Sequence, residues 1–268
     1  MFDFLSMDER RRLSFGGVAE LYDRSRPSYP PALVDDVLEF AGVGPGEADR
    51  ALEVGAGTGK ATVLFADRGV SVVALEPSAE MAAVARRNCA EYENVMIEQT
   101  EFERWRPDGH EFRFMFSAQA WHWVSADVRY VWARAALQAG GALAPYWNIP
   151  DWEACELRDE LREAYRRSGE GDGTGDPFHP SAQPGHDDWP GEIAATPGFD
   201  GAQVRYYRWR WTYTTQCYVD LLGTQSANLV TGDAQRDRLF TDVAGVIDAH
   251  GGAFEMPYVT QLCLARAS

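Results

Sequence analysis

The densest chemistry in the sequence is the run Glu53-Val54-Gly55-Ala56-Gly57-Thr58-Gly59, with a second carboxylate, Glu76, further along. An apolar run precedes it and a stretch of helical spacing follows it. Glycines in such a strand-to-helix turn allow a tight bend and let a ligand approach the backbone. Three ligands compete. A Walker A loop needs Ser or Thr after Gly-Lys and a glycine five positions earlier; Ala61 follows Gly59-Lys60, and Val54 stands at the earlier place. The dinucleotide fingerprint needs a third glycine where Lys60 stands. What remains is GxGxG with an acid two positions before it and Glu76 about 20 residues on, where a carboxylate can bind both ribose hydroxyls. That set suits an adenosyl ligand without pyrophosphate. The alternative, a turn that only packs strand on helix with Glu76 as a solvated strand end, leaves Glu53 and Glu76 together unexplained.

A second group is Ser117-Ala118-Gln119-Ala120-Trp121-His122-Trp123, following an apolar run. The carboxyl edge of a parallel sheet is where ligands bind. A histidine side chain normally titrates near neutrality, so His122 is a candidate general base, against cofactor contact or simple positioning. Trp121 is core or pocket wall, and Trp123 an anchor for the next helix. Tyr146 and Trp147 end the following strand and are candidate pocket residues. Their run LAPYW has Ala144 where the NPPY motif of amino-methylating enzymes carries Asn or Asp, and it follows the wrong strand. Glu170, Asp172 and Asp176 alternate, but Ser181 stands where a calcium loop needs its last carboxylate. His179, His186, Asp187 and Asp188 show no metal spacing, so residues 169–191 read as a solvated loop and no metal is expected. Cys89, Cys155, Cys217 and Cys263 are far apart and signal neither zinc nor a disulfide framework. Free thiols fit a reducing compartment.

The elements that must position these groups follow from periodicity. An opening segment over residues 8–24 ends at Pro27, Pro30 and Pro31. Helical spacing then covers Ala32–Phe40, Lys60–Arg68, Ser78–Asn88 and Ala126–Ala139. Strands are expected at Ala51–Val54, Val70–Leu75, Val95–Glu98, Phe112–Ser117 and Gly141–Trp147. This alternation implies an α/β fold, a parallel sheet with helices on both faces. After Pro150, Trp152–Arg167 reads as a helix, Val204–Thr214 as an aromatic strand, residues 216–250 as helical and Phe254–Ala265 as a last strand.

The 268 residues carry 25 Lys and Arg against 41 Asp and Glu, a formal charge of −16. Such a chain repels phosphate backbones, so nucleic acid is not expected as a partner. The N-terminus lacks the order of a secretory signal, and no long apolar run exists. A cytoplasmic protein, monomer or homodimer, with no membrane partner is expected.

The segments ALEVGAGTGKATVLFADRG, VVALEPSAEM, SAQAWHW and YDRSRPSYPPALVDDVL resemble the class I S-adenosylmethionine-dependent methyltransferases. The resemblance lies closest to their small-molecule branch, near the trans-aconitate-type enzymes. It implies a Rossmann-like, seven-stranded, mostly parallel sheet with a reversed last strand. A helical lid would lie over its carboxyl edge. One domain is expected: residues 1–30 as a cap, 31–149 as the cofactor core, 150–197 as lid and loop, and 198–268 as C-terminal strands with inserted helices. The resemblance also implies S-adenosylmethionine as cofactor. Gly55, Ala56 and Gly57 would lie against its methionine part, Glu53 near its amino group and Glu76 on the ribose. Pro77 and Met81 would flank the adenine, with Glu101 and Phe102 at its edge. Ser117, Ala118 and Gln119 would sit beside the sulfonium. The opening segment would fold over the cofactor, with Tyr22 or Arg26 on the methionine carboxylate or an acidic acceptor. Tyr29, Trp121, Tyr146 and Trp147 would form the substrate pocket. The implied activity is methyl transfer to a small acceptor, oxygen first. A catalytically silent adenosyl-binding protein is the main alternative, and a nicotinamide oxidoreductase is disfavoured by Lys60.

Overall fold

The computed structural model describes residues 18–44, 49–106, 112–168, 178, 188–225 and 232–268. Seven strands form one sheet: Arg50–Val54 (β1), Ser71–Leu75 (β2), Val95–Glu98 (β3), Phe112–Ala118 (β4), Leu137–Pro150 (β5), Phe199–Thr214 (β6) and Ala253–Ala267 (β7). Their order is β3-β2-β1-β4-β5-β7-β6. β1 pairs in parallel with β2 and β4, β2 with β3, and β4 with β5, while the last strand is antiparallel. The strand order reverses between β1 and β4, so their carboxyl ends open the crevice in which ligands bind such sheets.

The chain forms two compact units, one of residues 28–148, 187–207 and 260–268, the other of residues 1–27, 149–186 and 208–259. In the first, β1 and β2 are buried along nearly their whole length, as central parallel strands are. Pro31–Ala41 (α2) buries Leu33, Val34, Val37 and Ala41 on one face; Pro31 starts it and Gly42, at φ 70°, ends it. Thr62–Ala66 (α3) and Ala79–Asn88 (α4) follow β1 and β2. Ser78 caps α4 by accepting the Met81 amide at 3.3 Å. Arg129–Ala136 (α5) and Trp189–Ala195 (α7) complete this unit. Its core gathers Leu33, Val37, Phe65, Val72, Phe114, Phe116, Tyr146 and Leu264.

The other unit holds Ala19–Ser25 (α1), a 3₁₀ turn at Trp152–Ala154, Arg158–Ser168 (α6), Thr215–Gly223 (α8) and Asp233–Ala249 (α9). Leu161, Tyr165, Tyr213, Tyr218, Leu222, Val243 and Tyr258 pack its core. Tyr213 and Tyr258 share a buried hydroxyl pair at 2.9 Å. Thr214 caps α8 by accepting the Cys217 amide at 3.2 Å.

Several boundaries differ from the sequence expectation. The helix expected over residues 126–139 is shorter, because β5 begins at Leu137. Leu137 pairs with Phe112 and Ala142 with Phe114, so four residues of β5 face one of β4. Gly140, at φ 74°, makes that excursion possible. The aromatic strand begins at Phe199, five residues before the expected Val204. Among the described residues the 216–250 stretch contains two helices, and Trp152–Arg167 opens with a 3₁₀ turn before α6. Most of the loop expected over 169–191, with Glu170, Asp172, Asp176, His179, Ser181, His186 and Asp187, lies outside the described residues. Trp189 to Gly191 open α7, with Asp188 accepting the Gly191 amide at 3.0 Å. Among the described residues no helix is long and apolar enough to cross a membrane.

Candidate cofactor and acceptor site

β1 runs straight into the glycine turn. The amides of Gly55 and Ala56 both donate to the Leu75 carbonyl, at 2.9 and 3.0 Å, which hooks the turn onto the end of β2. A Cβ on Gly55 would lie 2.3 Å from the Ala120 Cβ, so only glycine lets the two segments close. Gly57 differs: at φ 58°, a Cβ there would meet nothing within 4 Å. Its bare edge faces open space rather than protein.

Glu76 is buried beside that turn. Its Oε2 accepts the Gly57 amide at 2.8 Å and its Oε1 the Ser78 amide at 2.8 Å. Each carboxylate oxygen has lone-pair capacity for a further donor, such as a ribose hydroxyl. Glu53 lies fully buried on β1. The Thr62 hydroxyl donates to its Oε2 at 2.5 Å, while its Oε1 is buried with no protein donor. Burial pushes the Glu53 carboxyl up to about 8; the Thr62 hydrogen bond opposes this, and the nearby Glu76 charge adds to it. A buried acid with one unsatisfied oxygen awaits a cation or a donor.

Met81 and Phe102 are buried, and Pro77 is half-buried. Glu101 pairs with Arg104 at 3.0 Å. The Ser117 hydroxyl is spent on the Val54 carbonyl at 2.8 Å, joining β4 to β1. Gln119 has a left-handed backbone, φ 60°, the one non-glycine case among the described residues. Its amide donates to the Tyr146 carbonyl at 2.9 Å and its Nε2 to the Asn148 carbonyl at 3.1 Å. Its Oε1 is buried without a partner. Asn148 donates from Nδ2 to the Ser28 carbonyl at 3.0 Å, and its Oδ1 accepts the Thr260 hydroxyl at 2.7 Å.

Trp121, Tyr146 and Trp147 are all fully buried. Tyr29 meets the Tyr146 ring edge-on at 5.0 Å, and Trp121 lies 6.1 Å from Phe102. His122 sits in the 3₁₀ turn Trp121–Trp123, where its Nδ1 accepts the Trp147 indole N–H at 3.3 Å. Tyr22 and Arg26 belong to the other unit. There Arg26 donates from Nε to the Thr224 hydroxyl at 2.9 Å and from Nη2 to the Thr224 carbonyl at 3.0 Å, with its guanidinium 4.9 Å from the Tyr22 ring centroid. Sequence reasoning missed Thr62, Asn148, Thr260, Trp189 and Arg129. Only Thr62 carried a signal, a hydroxyl one helix start away from a buried acid.

The pattern of the methyltransferase domain family matches residues 51–141, from β1 into β5. An uncharacterized methyltransferase of Mycobacterium tuberculosis is 31% identical over 253 residues, covering 92% of this chain and 93% of its own. The chain belongs to the S-adenosylmethionine-dependent methyltransferases. A probable S-adenosylmethionine-dependent methyltransferase of Saccharomyces cerevisiae is 24% identical over 151 residues, 54% of this chain and 50% of that one. Among solved structures, a type II methyltransferase from Anaeromyxobacter dehalogenans superposes with a TM-score of 0.57 at 22% identity, covering 91% of this chain and 97% of that one. A phosphoethanolamine N-methyltransferase of Haemonchus contortus, solved with S-adenosylhomocysteine, gives 0.55 at 14% identity, over 100% of this chain and 60% of that one. These share the methyltransferase fold. The residues present also suit the cofactor. The unpaired Glu53 Oε1 fits an ammonium, Glu76 fits a diol, and Gly57 leaves room beside Glu76.

Proposed function

We propose that this methyltransferase acts on an oxygen of a small organic acceptor, a carboxylate or a phenol. The observation that carries the acceptor reading is the unpartnered Gln119 Oε1, buried at the carboxyl end of β4, which only accepts and so fits a hydroxyl on the acceptor, the phenol itself or a hydroxyl beside a carboxylate. An unsatisfied buried oxygen at that edge marks a ligand contact. The aromatic residues beside it, Trp121, Tyr146 and Trp147, favour a compact organic body, and the charge of −16 disfavours a polyanionic one.

The cofactor supplies a methyl group on a sulfonium, already an excellent leaving group. The protein's part is then orientation and exclusion of water. Glu53 holds the ammonium end, Glu76 the ribose, and the backbone of Gly55 to Gly57 the chain between. Ser117, Ala118 and Gln119 form the floor on which the reacting atoms meet. Pro77, Met81, Glu101 and Phe102 enclose the adenine. Tyr29 completes the acceptor side. We place the protein in the cytoplasm, as a monomer or homodimer with no nucleic-acid partner.

The test is S-adenosylmethionine labelled on its methyl, incubated with the protein, a panel of small acids, phenols and amines, and a metabolite extract. Label on one acid or phenol supports the reading. Label confined to amines overturns the oxygen assignment, and tight cofactor binding with no label in any mixture favours the silent binder.

A further inference from the structure

The His122 ring is held by a buried indole. Trp147 Nε1–H donates to His122 Nδ1 at 3.3 Å. An indole nitrogen only donates, so Nδ1 must be the accepting nitrogen and a neutral ring carries its proton on Nε2. Trp147 is not free to turn away. It is fully buried on β5 and stacks on Trp189, ring centroids 5.0 Å apart and planes 14° from parallel. The Arg129 guanidinium lies 4.7 Å from the Trp189 ring centroid. Glu192 in turn accepts from Arg129 Nε at 3.1 Å. Residues of β5, α5 and α7 thus fix the direction of one N–H bond, and it points at a histidine beyond the end of β4.

We infer that Trp147 is a positioning residue that fixes His122 as the Nε2–H tautomer, so that His122 meets the acceptor as a neutral hydrogen-bond donor and not as a general base. The inference rests on the methyl-transfer reading above and narrows its acceptor class. Accepting a proton at Nε2 would require the existing one to move to Nδ1, where it would face the indole N–H. A site without that base suits an acceptor whose reacting atom has no proton to lose, a carboxylate foremost. A carboxylate oxygen that takes the methyl gives its lone pair to the new C–O bond. The pair of the broken carbon–sulfur bond stays on sulfur, and no proton is released. The Nε2–H can meanwhile donate to the oxygen that does not react, a charge-assisted bond.

The first test needs no acceptor. Full-length protein carrying ¹⁵N-histidine, with S-adenosylhomocysteine added, is examined by long-range ¹H–¹⁵N correlation at one neutral pH, with His122→Gln assigning the signal. The expected result is an unprotonated Nδ1 and a protonated Nε2 for His122, with a mixture of tautomers in Trp147→Phe. An Nδ1–H tautomer in the intact protein overturns the inference whether or not the Trp147 variant folds, and an unchanged tautomer in a folded Trp147→Phe overturns the role of Trp147.

The second test uses the labelled-methyl panel. Glutamine presents an N–H near the place of Nε2–H but is no base. His122→Gln should therefore keep transfer to carboxylates within about fivefold, while His122→Ala loses roughly 10- to 100-fold, the scale of one charge-assisted hydrogen bond. Equal loss in both variants, with label on amines or alcohols, overturns the donor role. Label in no compound sinks the acceptor reading, while the tautomer is still decided by the spectrum.

Discussion

The Glu76 carboxylate accepts the Gly57 amide at 2.8 Å, tying the end of β2 to the turn that follows β1. Its other oxygen accepts the Ser78 amide, and Ser78 itself caps α4. One side chain therefore sets the position of a turn, a strand end and a helix start around the same opening.

Removing that carboxylate tests its ribose role. Glu76→Ala should weaken S-adenosylhomocysteine binding by roughly 1.5–3 kcal/mol, the range for hydrogen bonds to a charged group. Titration calorimetry reads this directly. Glu76→Gln, which keeps the size and one acceptor oxygen, should fall between. Affinity unchanged in Glu76→Ala would reject the assignment.

Gly57 offers a test by filling space. A Cβ there meets no protein atom within 4 Å, so the bulk built on it is directed into the opening. The left-handed backbone costs a non-glycine residue about 1–2 kcal/mol, which a folded domain of this size tolerates. Gly57→Val should therefore fold, by circular dichroism, yet fail to bind cofactor, and Gly57→Ala should bind weakly. Normal binding by a folded Gly57→Val would remove the turn from the site.

Glu53 makes cofactor binding depend on pH. Burial holds its carboxyl up to about 8 in the free protein, so at pH 7 it is largely protonated. An ammonium partner requires the ionised form, so binding must release a proton. Affinity for S-adenosylhomocysteine should rise from pH 6 towards pH 8 and then flatten. Calorimetry at pH 7 in phosphate and in Tris should give different apparent enthalpies, the difference measuring proton release. Glu53→Gln should lose both effects. The linkage to stability has the opposite sign: because the folded-state value lies above the ordinary 4.5, the native protein binds the extra proton. The free protein should therefore lose this contribution as pH climbs from about 4.5 through about 8. Cofactor should restore it. A thermal midpoint that does not fall over that range would show Glu53 to be ionised already.

The glycine turn and Glu76 were legible because their chemistry is local, with a fixed spacing between a strand end and the next. Leu33, Val34 and Val37 were legible for a similar reason, since helical period alone puts them on one face. The Trp147–His122 bond spans 25 residues, and the stack of Trp147 on Trp189 joins two elements that no spacing rule relates. Asn148 reads in sequence as a polar strand end, and only the sheet order brings Thr260 of β7 to it. The early start of β5 was hidden because Gly140 and Gly141 look like a loop until Leu137 is seen paired to Phe112.

Gln119 carries strain where the site is built. A left-handed backbone costs a residue with a Cβ on the order of 1–2 kcal/mol, and glycine almost nothing. Gln119→Gly and Gln119→Ala both lose the bond to the Asn148 carbonyl, so comparing them isolates the backbone. The glycine variant should be the more stable by about 1 kcal/mol, or about 2–4 °C in thermal midpoint for a chain of this size. Equal midpoints would mean that the backbone relaxes out of the left-handed region in solution. Neither variant retains the side-chain oxygen that lacks a protein partner. Both should therefore lose methyl transfer in the labelled assay, the glycine variant despite its greater stability. An active glycine variant would instead leave the strain at this strand end with no part in the reaction.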